Sequence, residues 1–241
     1  MEVLILAAGR ALRLRPLTDD RPKCLLEVGG RPIISRAVDL LVARGLERIT
    51  IVDGYRGDMI RAALATEFPK VAFRFIRNAD YAATHNARPL HLAADLPSGP
   101  LMLLDADIVF TGGILDLLLA HPAANRLALR TRGGIGDEEM KVALDGRGRV
   151  RALGKDLDPS AAAGESVGIE VFGAEFVGAL WPVLRRRLRD ERRLDEYYEA
   201  SFLELVEAGN DVAAVDIGDL PCREIDTPSD LEEARSEFGG L

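Results

Sequence analysis

The 241-residue sequence is poor in the residues that build covalent frameworks, soft-metal sites and aromatic cages. It has two cysteines, Cys24 and Cys222, three histidines and one tryptophan, and aromatic residues make up 5% of the chain. Two cysteines without neighbouring histidines exclude a disulfide framework and a thiolate metal set, and each is expected to pack as a small apolar residue. Positive charge is also short. The net charge of -8 argues against a nucleic-acid partner, because phosphate backbones are held by clustered lysine and arginine. No long hydrophobic run is present, and the opening MEVLILAAGR is too short for a signal peptide or a membrane span. A cytoplasmic protein with no membrane partner is expected. No linker, repeat or low-complexity tract interrupts the chain, so residues 1–241 are read as one domain.

What is present is apolar residues, 48% of the chain, arranged in two rhythms. In the first half, strand and helix patterns alternate. Glu2–Ala7, Arg48–Val52, Val71–Ile76 and Pro100–Leu104 read as strands, with helices over Arg31–Arg44, Asp58–Thr66 and Asn86–Asp95. Pro32 suits the start of the first helix and Gly45 its end. The second half offers short strands at Leu127–Thr131, Met140–Leu144, Arg149–Leu153 and Ser166–Phe172, with Asp145-Gly146-Arg147-Gly148 as a hairpin turn. Helices near Ala174–Arg189, with Pro182 as a break candidate, and Asp195–Ala208 precede a strand at Asp211–Ile217. Thr227, Pro228 and Asp230 spell the capped start of a last helix, Pro228–Phe238. The expected fold is α/β: a Rossmann-like, mixed but mostly parallel central sheet flanked by helices, with a small antiparallel subsheet.

The turn after the first strand, Leu6-Ala7-Ala8-Gly9-Arg10, lacks the glycines of a dinucleotide fingerprint, since Ala11 and Leu12 fill the later positions. No G-K-[ST] follows, so a Walker loop is excluded too. The segment offers instead a tight small-residue turn with Arg13, Arg15 and Lys23, cations able to neutralise a triphosphate and a leaving pyrophosphate. Ala11 permits close backbone approach provided its φ stays negative. Asp105-Ala106-Asp107 ends an apolar strand, where open α/β sheets bind ligands, although D-x-D alone fits a turn equally well. In Glu224-Ile225-Asp226, alternation puts both carboxylates on one side of a short strand.

These stretches together resemble the nucleotidyltransferases that join an NTP to a phosphorylated acceptor. The pattern LAAG…RLRPLT…PK…LLEV…RPII retains Gly9, Arg13, Leu14, Pro16, Leu17 and Thr18 of that family's opening motif and departs at Ala11 and Leu12. The resemblance implies a nucleotidyltransferase fold in which residues 1–110 form a nucleotide-binding half and 111–241 an acceptor-binding half. It implies that Lys23 and Arg13 act on the triphosphate as the catalytic cations. Leu6, Ala7, Ala8, Gly9, Arg10, Asn78, Asn86 and Asp105 are then expected at the nucleotide. The marker Glu224-Ile225-Asp226-Thr227-Pro228 near the C-terminus implies Mg2+ held by Asp107 and Asp226, with Glu224 beside them.

Within the family the chain is most similar to short cytidylyltransferases acting on phosphocholine and phosphonates. Asn78–Ala82, Asp137–Val142, Gly164–Ile169 and Tyr197-Tyr198-Glu199 follow that branch, while Pro89 stands where it has serine. The implied reaction moves CMP from CTP to a small phosphate or phosphonate acceptor. The scarcity of aromatics argues against choline, whose ammonium needs ring faces. His85 and Arg88 are expected to meet an anionic acceptor group such as a carboxylate; Glu138, Glu139 and Glu199 are the alternative, holding an amine. Lys141, Lys155 and Glu165 are further acceptor-side candidates. A homodimer is allowed. Two rival readings stand beside this one: a sugar-1-phosphate nucleotidyltransferase using UTP, dTTP or GTP, and a nucleotide-binding regulator without activity.

Overall fold

A computed structural model describes residues 1–96, 99–136 and 138–240. The first half runs β1 (Glu2–Ala7), β2 (Glu27–Val28), β3 (Arg31–Pro32), α1 (Ile33–Val42), β4 (Ile49–Asp53), α2 (Gly57–Glu67), β5 (Arg74–Arg77) and α3 (Ala87–Leu92). It continues through β6 (Leu101–Asp105), β7 (Ile108–Phe110) and α4 (Gly112–Ala120). The second half adds β8 (Arg126–Arg130), β9 (Lys141–Leu144), β10 (Val150–Gly154), β11 (Gly164–Phe172) and α5 (Ala174–Arg185). It ends with α6 (Glu199–Glu207), β12 (Ala213–Asp216), β13 (Cys222–Glu224) and α7 (Pro228–Phe238). Among the described residues, no helix is long and apolar enough to cross a membrane.

One nine-stranded sheet takes strands from both halves. Strand β1 lies between β4 and β6, both parallel to it, and β5 extends the parallel part beyond β4. The β1 sequence explains its central place: successive residues alternate between two buried faces. Val3 and Ile5 pack with Ile34, Val38 and Leu41 of α1 on one side. Leu4 and Leu6 pack with Leu90, Phe176 and Phe202 on the other. Strand β11 then runs antiparallel to β6, β8 and β9, and β9–β10 close the expected hairpin around Gly148. The antiparallel part is therefore continuous with the central sheet. Two small antiparallel pairs, β2–β3 and β7–β13, lie outside it.

Some boundaries differ from those expected. Arg31 and Pro32 pair with Glu27 and Val28 instead of opening α1, which starts at Ile33. The strand expected at Val71–Ile76 pairs over Arg74–Arg77, and the helix expected over Asn86–Asp95 is confined to Ala87–Leu92. Helix α6 begins at Glu199, four residues past Asp195. Pro182 does not break α5; its ring is exposed, and the helix continues into a wider π-type turn over Arg186–Asp190. The arginines of this turn are tied into ion pairs: Arg187 is largely buried and bonds Glu196 and Glu204. The pair β7–β13 and helix α4 follow from no pattern in the reading above.

A third, smaller core decides where the loop after β1 sits. Leu14, Leu26, Val28 and Ile33 pack with Val109, Ile225, Leu231 and Phe238. Burying one such side chain contributes about 2 kcal/mol. The contacts fasten residues 12–28 to the last thirty residues of the chain. Helix α7 carries the expected capping box, with Thr227 accepting from the Asp230 N–H and Asp230 accepting from Thr227.

Gly168 makes the bend by which β11 changes register between Ser166 and Glu170. Its φ is +71°, and a Cβ there would lie 2.9 Å from Asp105 Oδ2 and 2.9 Å from Ile108 Cδ1. Gly148 has a similar φ of +75° with open space around it. Gly148→Ala should therefore cost about 1 kcal/mol from backbone strain alone, and Gly168→Ala at least about 2 kcal/mol because the clash is added. Urea denaturation of the two variants checks this; equal costs would show that the Asp105 contact gives way freely.

Candidate active site

The ends of β1 and β6 place Gly9 and Asp107 side by side, as the parallel register Leu6–Asp105 and the bond from the Ala106 N–H to the Leu6 carbonyl require. Pairing of β7 with β13, extended by the bond from the Ile225 N–H to the Asp107 carbonyl, brings Glu224 and Asp226 to the same point. Carboxylate oxygens of Asp107, Glu224 and Asp226 then lie within 4.8 Å of one another. Lys23, on a short turn packed under Leu26, sends its ammonium between two of them, 2.8 Å from Asp107 Oδ2 and 2.6 Å from Asp226 Oδ1. Arg13 bonds the other oxygen of Asp226.

The electrostatics follow from this geometry. Burial alone would lower the Lys23 pKa, but Asp107 and Asp226 more than offset it and the ammonium is held charged. Burial likewise pushes Asp226 up, against which Lys23 and then Arg13 win, so its carboxyl lies below the ordinary value. Glu224 makes no ion pair among the described residues, and Lys23 and Lys155 oppose its shift only from a distance. It is open to solvent in the cleft yet walled by protein, and this enclosure, with Asp107 and Asp226 beside it, pushes its carboxyl up to about 8. The Oδ1 atom of Asp107 is buried and has no hydrogen-bond partner. Three hard oxygen donors, one of them unsatisfied, fit a small divalent cation such as Mg2+.

The loop itself departs from expectation at Ala11. Its φ is +48° and ψ +56°, so the residue is left-handed and the negative φ expected for it is not kept. This turn costs an alanine about 1 kcal/mol relative to glycine. The Thr18 hydroxyl, donating to the Ala11 carbonyl at 2.9 Å, helps hold it. Leu6, Ala7, Gly9 and Ala11 line a cavity of about 110 Å³ that Lys23 and Asp107 close at one end. Ala8 accepts a bond from the Tyr55 N–H, and Arg10 is exposed at the rim. Asn78 is not brought to this place: it is buried and ties its own turn, accepting from the Asp80 N–H and donating to Thr84.

On the other side of the carboxylates opens a larger cavity of about 390 Å³. Asn86 and Asp105, both expected at the nucleotide, line it together with the acceptor-side candidates Lys155, Glu165 and Glu199. Asn86 accepts from the Tyr198 N–H and stands in the wall of this larger cavity, away from the turn after β1. His85 reaches the cavity indirectly, its ring 4.3 Å from that of Tyr197. Arg88 does not reach it; the guanidinium faces Asp80 at 3.5 Å and His91 at 3.5 Å. Lys141 is fully buried and donates to the Lys155 carbonyl at 2.6 Å. Glu138 stands 3.9 Å from Arg13 and 3.8 Å from Lys155. Asp137, part of the acceptor-side pattern, lies outside the described residues.

Beneath this cavity lie Tyr198, marked in the sequence only as part of a branch pattern, and Glu170, which no motif marked. The buried Tyr198 hydroxyl donates to Asp105 Oδ2 at 2.9 Å, and buried Glu170 accepts from Ser166 at 3.2 Å. Burial and mutual repulsion push Asp105 and Glu170 well above the carboxylate range, and burial pushes Glu199 up to about 7. A glutamate between Ile169 and Val171, inside an otherwise apolar strand, was the signal available.

Comparison with known proteins gives this geometry its context. The MobA-like NTP transferase domain matches residues 3–197. CMP-5'-(3-aminopropyl)phosphonate synthase of Streptomyces rubellomurinus is 30% identical over 99% of this chain, which spans 39% of that longer protein. CTP:phosphoglutamine cytidylyltransferase of Campylobacter jejuni is 29% identical, with 96% of this chain and 98% of the relative covered. The fold is that of the solved CTP:phosphocholine cytidylyltransferase of Streptococcus pneumoniae, at a TM-score of 0.81 and 21% identity over 98% of each chain.

Removing the Lys23 charge should expose the repulsion it now balances. Lys23→Met is expected to lower stability at pH 7.5 by roughly 2 kcal/mol, below the ~3–5 of a fully buried pair because both aspartates reach solvent. Asp226, whose folded pKa is depressed in the native protein, contributes stability above its unfolded value that is lost as pH falls through the folded one. In the variant the carboxylates are raised instead, so the deficit should shrink toward pH 4.5 as they protonate. Denaturant titrations at both pH values read this directly; a deficit independent of pH would contradict it.

Proposed function

We propose that this chain, which belongs to the MobA-like NTP transferase domain family, transfers CMP from CTP to a small phosphate or phosphonate acceptor and releases pyrophosphate. The observation that carries the reading is the Lys23 ammonium lodged between Asp107 and Asp226, with Glu224 beside them, at the mouth of two adjoining cavities. The smaller cavity, walled by the turn after β1, takes the nucleotide; the larger takes the acceptor. In this reading residues 1–110 form the nucleotide half and residues 111–241 the acceptor half. The names of the two sequence relatives support CTP as the donor and a phosphonate or phosphate as the acceptor.

In the reaction, an acceptor oxygen forms a bond to the α-phosphorus of CTP while the bond from that phosphorus to the bridging oxygen of pyrophosphate breaks, in line. The acceptor is an anion already, so no general base is needed. Lys23 and Arg13 leave Asp226 for the triphosphate and neutralise the charge that grows on pyrophosphate. Asp107, Glu224 and Asp226 would hold Mg2+, which supplies Lewis-acid stabilisation of the phosphoryl oxygens. The backbone N–H groups of the Ala8–Arg10 turn face the phosphates, and closing the two cavities around both substrates keeps water from the α-phosphorus.

Pyrophosphate release with each of CTP, UTP, dTTP, GTP and ATP, against a panel of phosphate and phosphonate acceptors, tests the proposal. Turnover is expected with CTP and Mg2+, and its loss on chelation. Preference for UTP, dTTP or GTP with a sugar 1-phosphate would replace this reading by a sugar-nucleotide synthase. Silence with every nucleotide would favour a regulator.

A further inference from the structure

We propose that Lys23 keeps the carboxylate triad closed to free divalent cations, so that a metal enters only together with an anion that draws the lysine away. This deepens the function proposed above and rests on it for the anion, a nucleoside triphosphate. The oxygens are already taken. Lys23 Nζ lies 2.8 Å from Asp107 Oδ2 and 2.6 Å from Asp226 Oδ1, and Arg13 bonds Asp226 Oδ2. Of the two aspartates, only Asp107 Oδ1 is left without a partner. A divalent cation bonded to the oxygens that Lys23 now holds would stand within about 5 Å of its ammonium, and a lysine is charged at neutral pH. With only 11% of the Lys23 side chain exposed to screening water, two positive groups that close repel strongly. Metal and lysine therefore exclude one another.

Nor can the lysine step aside unaided. Its backbone is fixed: the Leu25 N–H bonds the Pro22 carbonyl and the Leu26 N–H bonds the Lys23 carbonyl, around the buried Cys24. Only the side chain can swing, and the open space beside it is the smaller cavity. Leu6, Ala7, Ala11, Cys24 and Ala106 wall that cavity, and Asp107 is the one acidic residue among the described residues that line it. An ammonium displaced there would lose its carboxylates and meet an apolar wall, a costly position for an unpaired charge.

A triphosphate in the same space reverses the balance. Its oxygens give Lys23 and the more exposed Arg13 new partners, and the carboxylates they leave are then free to hold a cation. Coupling of this kind is reciprocal: the anion raises the affinity for the metal by the same factor as the metal raises the affinity for the anion.

Mn2+ alone is the probe, with the free ion counted by electron paramagnetic resonance at pH 7.5 and no nucleotide present. Lys23→Met, shown to be folded by its thermal transition, should bind Mn2+ on the order of a hundredfold more tightly than the wild-type chain, since one charge at this range is worth about one to three decades in a proton equilibrium. Adding Asp107→Asn to Lys23→Met should abolish the gain. Equal affinities in the two chains, or a gain that survives Asp107→Asn, overturn the proposal. The wild-type chain gives a second reading that needs no Lys23 variant. Mn2+ alone should leave its thermal midpoint unchanged, while Mn2+ with CTP should raise it beyond CTP in EDTA. A rise with Mn2+ alone that Asp107→Asn removes would overturn the proposal too. The Mn2+ arms need neither nucleotide nor turnover, so they fail separately from the transferase reading. Tighter Mn2+ binding by Lys23→Met, with no pyrophosphate released by the wild-type chain, would refute that reading and leave the lysine's role standing. Equal Mn2+ binding with pyrophosphate release would do the opposite.

Discussion

The Lys23 ammonium, 2.8 Å from Asp107 and 2.6 Å from Asp226, ties together three stretches that are remote in sequence. Each is delivered by a different device. Asp107 follows the parallel strand β6, Asp226 follows the antiparallel strand β13, and Lys23 is pinned by the small core around Leu14, Leu26 and Ile225. Three carboxylates packed this closely repel, and without a cation the arrangement would not be the preferred one. A cation bound there by lysine is also one that a nucleotide can take over, since a triphosphate offers both Lys23 and Arg13 a stronger partner than a single aspartate. The same contact that holds the site closed thus poises it for an anionic substrate.

Carboxyl groups cluster again beneath the larger cavity, with a different resolution. Asp105, Glu170 and Glu199 are buried close to one another, and burial drives their pKa values upward instead of a lysine pulling them down. The two acidic groups lie within electrostatic reach of one another, since Asp107 helps raise Asp105, and Lys155 acts on both. Gly168 belongs to this design: only a residue without Cβ lets β11 pass so close to the Asp105 carboxylate.

The sequence showed most of what chain-local rules can carry. Apolar periodicity located β1, β4 and β6, and the capping residues located α7. Asp107 and Asp226 were recognisable because each follows an apolar strand and because the surrounding motifs resemble a known family. What stayed hidden depends on tertiary register. The bend at Gly168, the pair β7–β13 and the burial of Glu170 arise when distant strands meet, and no window of a dozen residues contains them. Arg88 failed for the same reason. Its sequence position beside His85 suggested a common target, but one turn of α3 rotates it toward Asp80. Ala11 failed through backbone geometry: the turn keeps a left-handed residue even where the glycine is gone.

The central claim is that Asp107, Glu224 and Asp226 form a cation site that works with the nucleotide. Anomalous scattering from Mn2+, recorded from crystals soaked with Mn2+ and CTP, tests it most directly. The account predicts a peak in contact with these three carboxylates and Lys23 turned toward the phosphates. A nucleotide bound with no metal at the three carboxylates, or with its phosphates away from Lys23, would contradict it.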